Sequence, residues 1–185
     1  MTTNAKTDNL VLKLWFITHR TRDVLRNCED RVFGEYGLTA EQYGVLAVME
    51  VLGDSVRVTD LAQGLGRSAN SVSMIVDRMV KAGLVRRGRD RGDRRTVRVS
   101  VTNKGEAAFR PATVAGLELI RELTSPLSYE DKRTFVGLHE LIRHKALQYL
   151  NPEADIEEMG RSDVMNRPDL AKRLRQYLST STAEG

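Results

Sequence analysis

The sequence predicts a mainly α-helical fold with a small β wing: a winged helix-turn-helix set between long N- and C-terminal helices. Three observations carry this expectation. Residues 59–102 read in order as a short helix, a turn, a second helix and a two-stranded ribbon. Between Arg86 and Arg98 that ribbon holds seven arginines and only two aspartates, a clustering suited to phosphate neutralisation. On both sides of the unit lie long segments with apolar residues at helical spacing.

Each element has a local cause. From Asn9 to about Gly34, Leu10, Leu14, Ile17, Val24, Cys28 and Val32 fall near one stripe of a helix that Tyr36-Gly37 ends. Thr39 and Gln42 form a capping box, and Leu38 can staple to Tyr43, opening a helix to about Leu52 that Gly53-Asp54 closes. Val56-Arg57-Val58 reads as a short third strand. Thr59 is the expected cap of the first motif helix, Gly64 to Gly66 supply the turn, and Ser68 caps the second helix. After the ribbon, Thr102-Asn-Lys-Gly opens a helix of roughly Glu106 to Leu123, bent near Pro111. Ser125-Pro126 breaks it, and Ser128 caps another that runs to Leu150, where Asn151-Pro152 stops it. A weak helical piece follows around Asp169 to Leu178, then a disordered end, Ser179 to Gly185.

On a helical wheel Val72, Ile75, Val76, Met79 and Val80 form one apolar face of the second motif helix. Opposite lie Asn70, Met74, Asp77 and Lys81, flanked by Ser73 and Arg78, with Ser71 at the start. Such a row of hydrogen-bonding groups is what a helix needs to tell base edges apart in a major groove. Asn70 can pair with adenine, Met74 can touch a thymine methyl, and Arg78 can take guanine or a phosphate. Asp77 can accept from cytosine or pair with a nearby arginine. In the ribbon, Val97, Val99 and Val101 are expected to alternate inward while Arg98 and Ser100 face out. The tip, Arg89 to Asp93, is cationic and suits a narrow minor groove. Asp93 is expected to fix a neighbouring arginine rather than touch DNA.

The 185-residue chain, 41% hydrophobic and 29% charged, has the composition of a soluble protein. Its formal charge of +4 divides into about +6 over residues 1–150 and about −2 over residues 151–185. One cysteine excludes an internal disulfide and fits a reducing compartment. With no signal peptide or membrane-spanning run, the expected location is the cytoplasm, with no membrane partner. No paired carboxylates, nucleophile elbow, phosphate loop or metal-ligand cluster stands out, so neither enzyme, cofactor nor metal is expected.

The residues resemble the MarR (multiple antibiotic resistance regulator) family. The matching pieces are Leu61-Ala62, Ser68 with Ser71-Val72-Ser73, Asp77-Arg78-Met79, Gly83-Leu84-Val85-Arg86, and Asp93-Arg94-Arg95 through Thr102 to Lys104-Gly105. Val101 stands where the family pattern has leucine. The resemblance implies a homodimer built from the first and last helices, acting on a palindromic operator as a transcriptional regulator, expected to be a repressor. It also implies that Arg95 is the first candidate for a minor-groove contact, positioned by Asp93, with Arg94 next. The expected DNA-contacting set is Ser68, Asn70, Ser71, Ser73, Met74, Asp77, Arg78, Arg89, Arg91, Asp93, Arg94 and Arg95. The implied division is a helical dimerisation region over 9–35 and 106–150, a DNA-binding winged helix-turn-helix over 38–105, and a tail over 151–185, partly helical or disordered. That tail departs from the family. It can wrap a partner subunit, cover a ligand pocket or remain loose. Many family members bind a small aromatic anion, for which Trp15, Phe16, His19, Arg20 and Tyr43 offer rings and positive charge. Two alternatives remain at this stage: a winged helix used only for protein interaction, and a redox-sensing regulator based on Cys28.

Overall fold

A computed structural model describes residues 5–53, 55–89, 97–157 and 168–181. Helix α1 (Ala5–Gly34) leads through a turn to α2 (Ala40–Leu52), then β1 (Val56–Arg57), α3 (Val58–Gly64), α4 (Ala69–Lys81), β2 (Val85–Arg89) and β3 (Val97–Val101). Three helices complete the described chain: α5 (Asn103–Leu123), α6 (Tyr129–Leu150) and α7 (Pro168–Ser181). The sheet is antiparallel in the order β1-β3-β2. Val56 pairs with Val99, and β2 pairs with β3 from Val85 opposite Val101 to Arg89 opposite Val97.

The core forms where α2, apolar nearly all round, is enclosed by its neighbours. Val45, Leu46, Ala47, Val48 and Met49 are buried there with Leu61, Val72, Ile75, Val76, Met79, Val85 and Val99. The expected start signals hold at four helices. Thr39 and Gln42 make the capping box of α2, Ser68 caps α4 by accepting from the Ser71 amide, and Ser128 with Asp131 boxes the start of α6. Thr102 caps α5 through the Gly105 amide.

Some expectations need correction. Thr59 does not cap α3: the strand passes straight into the helix at Val58, leaving Thr59 in the first turn with its hydroxyl toward Asp60. Val97 is exposed rather than inward: β1 pairs with β3 at Arg98 and Val99, short of Val97. Val80, at the edge of the apolar face of α4, is 37% exposed. The tail helix is longer than expected and includes Ser179 to Ser181. Leu170 of α7 is buried in the core, and Leu174 and Tyr177 pack against it. Helix α6 contrasts with all this. None of its residues is buried, and Phe135, Val136, Leu138, Leu141 and Ile142 are exposed.

Candidate nucleic-acid interface

The turn before α4 and the turn after it are built alike. At Gly66 (φ +60°) and Gly83 (φ +72°) the backbone enters the left-handed region that favours glycine. There the Arg67 amide donates to the Ala62 carbonyl at 2.9 Å and the Leu84 amide to the Met79 carbonyl at 2.9 Å. These bonds satisfy helix-end carbonyls and stop each helix sharply. The first turn sets α4 across α3; the second sends the chain into the wing.

With Val72, Ile75, Val76 and Met79 buried, the opposite side of α4 faces solvent. Asn70, Met74, Asp77 and Arg78 are exposed, Met74 at 67%, and Ser71 and Ser73 are half-buried. Ser68 spends its hydroxyl on the cap. Arg87 of β2 clips the wing to this helix, reaching Asp77 Oδ1 at 2.8 Å and donating to Ser73 Oγ at 3.2 Å. Of the two roles open to Asp77, the structure shows the ion pair. Arg98 donates to the Ser55 carbonyl at 2.8 Å, bracing β3 against the entry to β1. The wing-tip candidates Arg91, Asp93, Arg94 and Arg95 lie outside the described residues, as does the side chain of Arg89.

Glu41, in the first turn of α2, escaped the sequence reading. Its carboxylate meets Arg67 at 2.7 Å, Arg78 at 3.2 Å and Arg26 at 3.6 Å. The Arg67 hydrogen bond, with the charges of Arg67, Arg26 and Arg78, holds that carboxyl below its ordinary value against the opposing effect of burial. One acid thus joins α1, the motif turn and α4. Its position at a helix N-terminus, where negative charge is favoured, is the only local sign in the sequence.

An open cleft of about 940 Å³ lies beside this cluster. Leu14, Ile17, Leu25 and Phe135 give it apolar walls, and Arg22, Arg26 and Arg67 line it together with the carboxyl groups of Asp23 and Glu29. The five residues named as ligand candidates are not brought together around it. Trp15 and His19 pack edge to face on exposed α1, with ring centres 4.4 Å apart, and Phe16 and Arg20 also face solvent. Tyr43 instead stacks on Phe33 at 4.0 Å, within the core. Its hydroxyl is pushed up by burial, partly offset by a hydrogen bond with Thr113. Cys28 is half-buried on α1. Among the described residues no cluster of His, Cys, Asp or Glu is placed to hold a metal, and no helix is long and apolar enough to cross a membrane.

A helix-turn-helix whose second helix bears an exposed polar row, followed by a wing clipped to it, defines a winged helix-turn-helix protein. Comparison finds that the MarR family profile matches residues 36–96, about a third of the chain. Over that segment the chain is similar to the MarR family. It is 28% identical over 133 residues to the HTH-type transcriptional regulator PapX of Escherichia coli, covering 71% of this chain and 79% of that one. It is 30% identical over 105 residues to the regulator PecS of Dickeya dadantii, covering 56% and 63%. Among solved structures, the organohalide-sensing regulator RdhR bound to 2,4-dichlorophenol superposes with a TM-score of 0.72 at 20% identity, over 80% of this chain and 89% of that one. The M. tuberculosis regulator MOSR in complex with DNA gives 0.58 at 25% identity, over 69% and 94%.

Proposed function

We propose that this chain is a sequence-specific regulator of transcription that binds double-stranded DNA as a homodimer on a pseudo-palindromic operator, acting as a repressor in the cytoplasm. The observation that carries the proposal is the exposed row Asn70, Met74 and Arg78 on α4, locked to an arginine-rich wing by Arg87. Base edges are read by hydrogen bonds and methyl contacts from such a helix, while cations hold phosphates. Asn70, Ser71, Ser73, Met74 and Arg78 take the major groove, and Ser68 fixes the helix start. Asp77 holds Arg87 in place. Arg89, Arg91, Arg94 and Arg95, with Asp93 orienting Arg95, take the phosphates and minor groove. The similar regulator MOSR, solved in complex with DNA, supports DNA binding as the activity of this fold here.

The homodimer rests on α6 and the first half of α1. Leu10, Leu14, Phe135, Leu138 and Leu141 are all more than half exposed in one chain, and exposed apolar side chains grouped in this way mark interaction surfaces. Two copies related by a two-fold axis would set their α4 helices one turn of duplex apart, roughly 34 Å. A small aromatic anion is the proposed effector, seated in the cleft between α1 and α6 with its charge toward Arg26 and Arg67. The phenol-bound relative RdhR supports that class of ligand.

Alanine variants test the DNA assignment. Asn70→Ala is expected to cost about 1–3 kcal/mol of operator binding and to relax base preference at one position. Arg95→Ala is expected to weaken binding to all duplexes and to lower the salt dependence by about one unit of log-log slope. Wild-type affinity and salt dependence in Arg95→Ala would remove the wing from the interface.

A further inference from the structure

Four aromatic rings from four helices form one row through the joint between the long helices and the DNA-reading lobe. Phe33 of α1 stacks on Tyr43 of α2 at 4.0 Å, Tyr43 meets Phe109 of α5 at 5.3 Å, and Phe109 meets Tyr177 of α7 edge-on at 6.0 Å. The tail helix is held there by polar contacts as well. Arg173 donates to the Glu50 carbonyl at 2.8 Å, and the Arg110 guanidinium lies 5.7 Å from the centre of the Tyr177 ring. Burial and the adjacent Glu50 carboxylate push the Tyr177 hydroxyl up to about 12, so it stays a neutral donor to Glu50. Leu170, only 5% exposed, is inserted two turns earlier on the same face of the helix.

These contacts have a directional consequence. Helix α2 belongs to the lobe that carries α4, whereas α5 runs away from it toward α6. Without α7, the lobe is joined to α1 and α5 by a row of three rings that is open at one end. A fourth element touching both α2 and α5 resists rotation of one against the other, because packed side chains have discrete arrangements rather than a continuum.

We propose that α7 is a brace which fixes the angle of the DNA-reading lobe on the long helices, with Leu170, Arg173 and Tyr177 as positioning residues for operator recognition. In a dimer that angle sets the distance between the two α4 helices, so α7 governs how strictly the spacing of the half-sites is read. The proposal rests on the DNA-reading assignment above.

The test uses the full-length chain and the duplex it selects from a random pool. Affinity is then measured on a series in which base pairs are added or removed between the half-sites. Wild type is expected to lose roughly tenfold for the first pair changed, comparable with the cost of a mismatched pair. The double variant Leu170→Ala/Tyr177→Ala is expected to lose less than about threefold, and Tyr177→Phe, which keeps the ring, to retain most of the wild-type steepness. Loss of stability alone would lower all affinities together and leave the profile unchanged. Should the double variant not fold, Arg173→Ala removes one exposed hydrogen bond and is expected to flatten the profile part of the way. Identical profiles in wild type and variants overturn the brace while leaving DNA reading intact. Selection of no duplex by wild type overturns the DNA-reading assignment and the brace with it.

Discussion

Gly105 shows how one atom constrains the passage from wing to stem. A Cβ at this position would lie 2.1 Å from the Leu84 carbonyl oxygen and 3.0 Å from Val101 Cγ1. That carbonyl is already engaged, accepting from the Thr102 amide at 3.1 Å and from its hydroxyl at 3.0 Å. Gly105→Ala is therefore expected to destabilise by at least about 1–3 kcal/mol, the range for an overfilled core, as read from denaturant midpoints. Glu41 gives a second residue-scale prediction. Its folded-state carboxyl lies below the ordinary value of 4.5, so its contribution to stability is present above that pH and is lost as pH falls through the folded value. Glu41→Gln should lower stability at neutral pH, and the gap to wild type should close as the pH falls below 4.5 through the folded value. A gap that persists unchanged into acid would assign the loss to packing instead. At this scale the caps were legible, because Thr39, Ser68 and Ser128 act within three residues. The Glu41 cluster was not: Arg67 and Arg78 lie 26 and 37 residues away, and nothing local marks them as its partners.

Among the elements, α4 followed its sequence pattern most closely. Its buried face came from periodicity, and its exposed face kept the hydrogen-bonding groups that the spacing put there. The wing was less legible, since strand alternation assumes a supporting layer along its length. Val99 lies in the core and Val101 packs against it, whereas Val97 stays in water. A test at this level is Thr39→Ala, which removes one half of the α2 capping box and should cost about 1 kcal/mol of stability. An unchanged denaturation midpoint would mean that the Asp30 carboxylate, which accepts from the Ala40 amide at 2.7 Å, suffices to hold that helix start. Helix α6 is the opposite of α4. Its capping signals were plain, yet its apolar residues face outward within one chain, which local patterning has no means of showing. Leu141→Asp is expected to turn the proposed dimer into a monomer in sedimentation while leaving the helical circular dichroism signal intact. A dimer that persists would exclude this face of α6 from the contact.

The molecule as a whole divides its labour between a lobe that reads and long helices that set where the lobe is held. The lobe was legible because its signals sit within about forty residues of sequence. The joint was not. Its four rings come from positions 33, 43, 109 and 177, and Gly116 lets Phe33 approach α5, where a Cβ would come within 2.8 Å of that ring. The tail showed only a weak helical pattern, and its docking site on α2 and α5 exists only after the fold has formed. Sequence-specific reading of duplex DNA is the central claim for this assembly. Its most direct test is the ratio of affinities for the selected duplex and a scrambled duplex of equal length at physiological salt. We expect a ratio of at least about 10³, with log affinity falling linearly as log salt rises. A ratio near one, with the protein folded, would contradict the account.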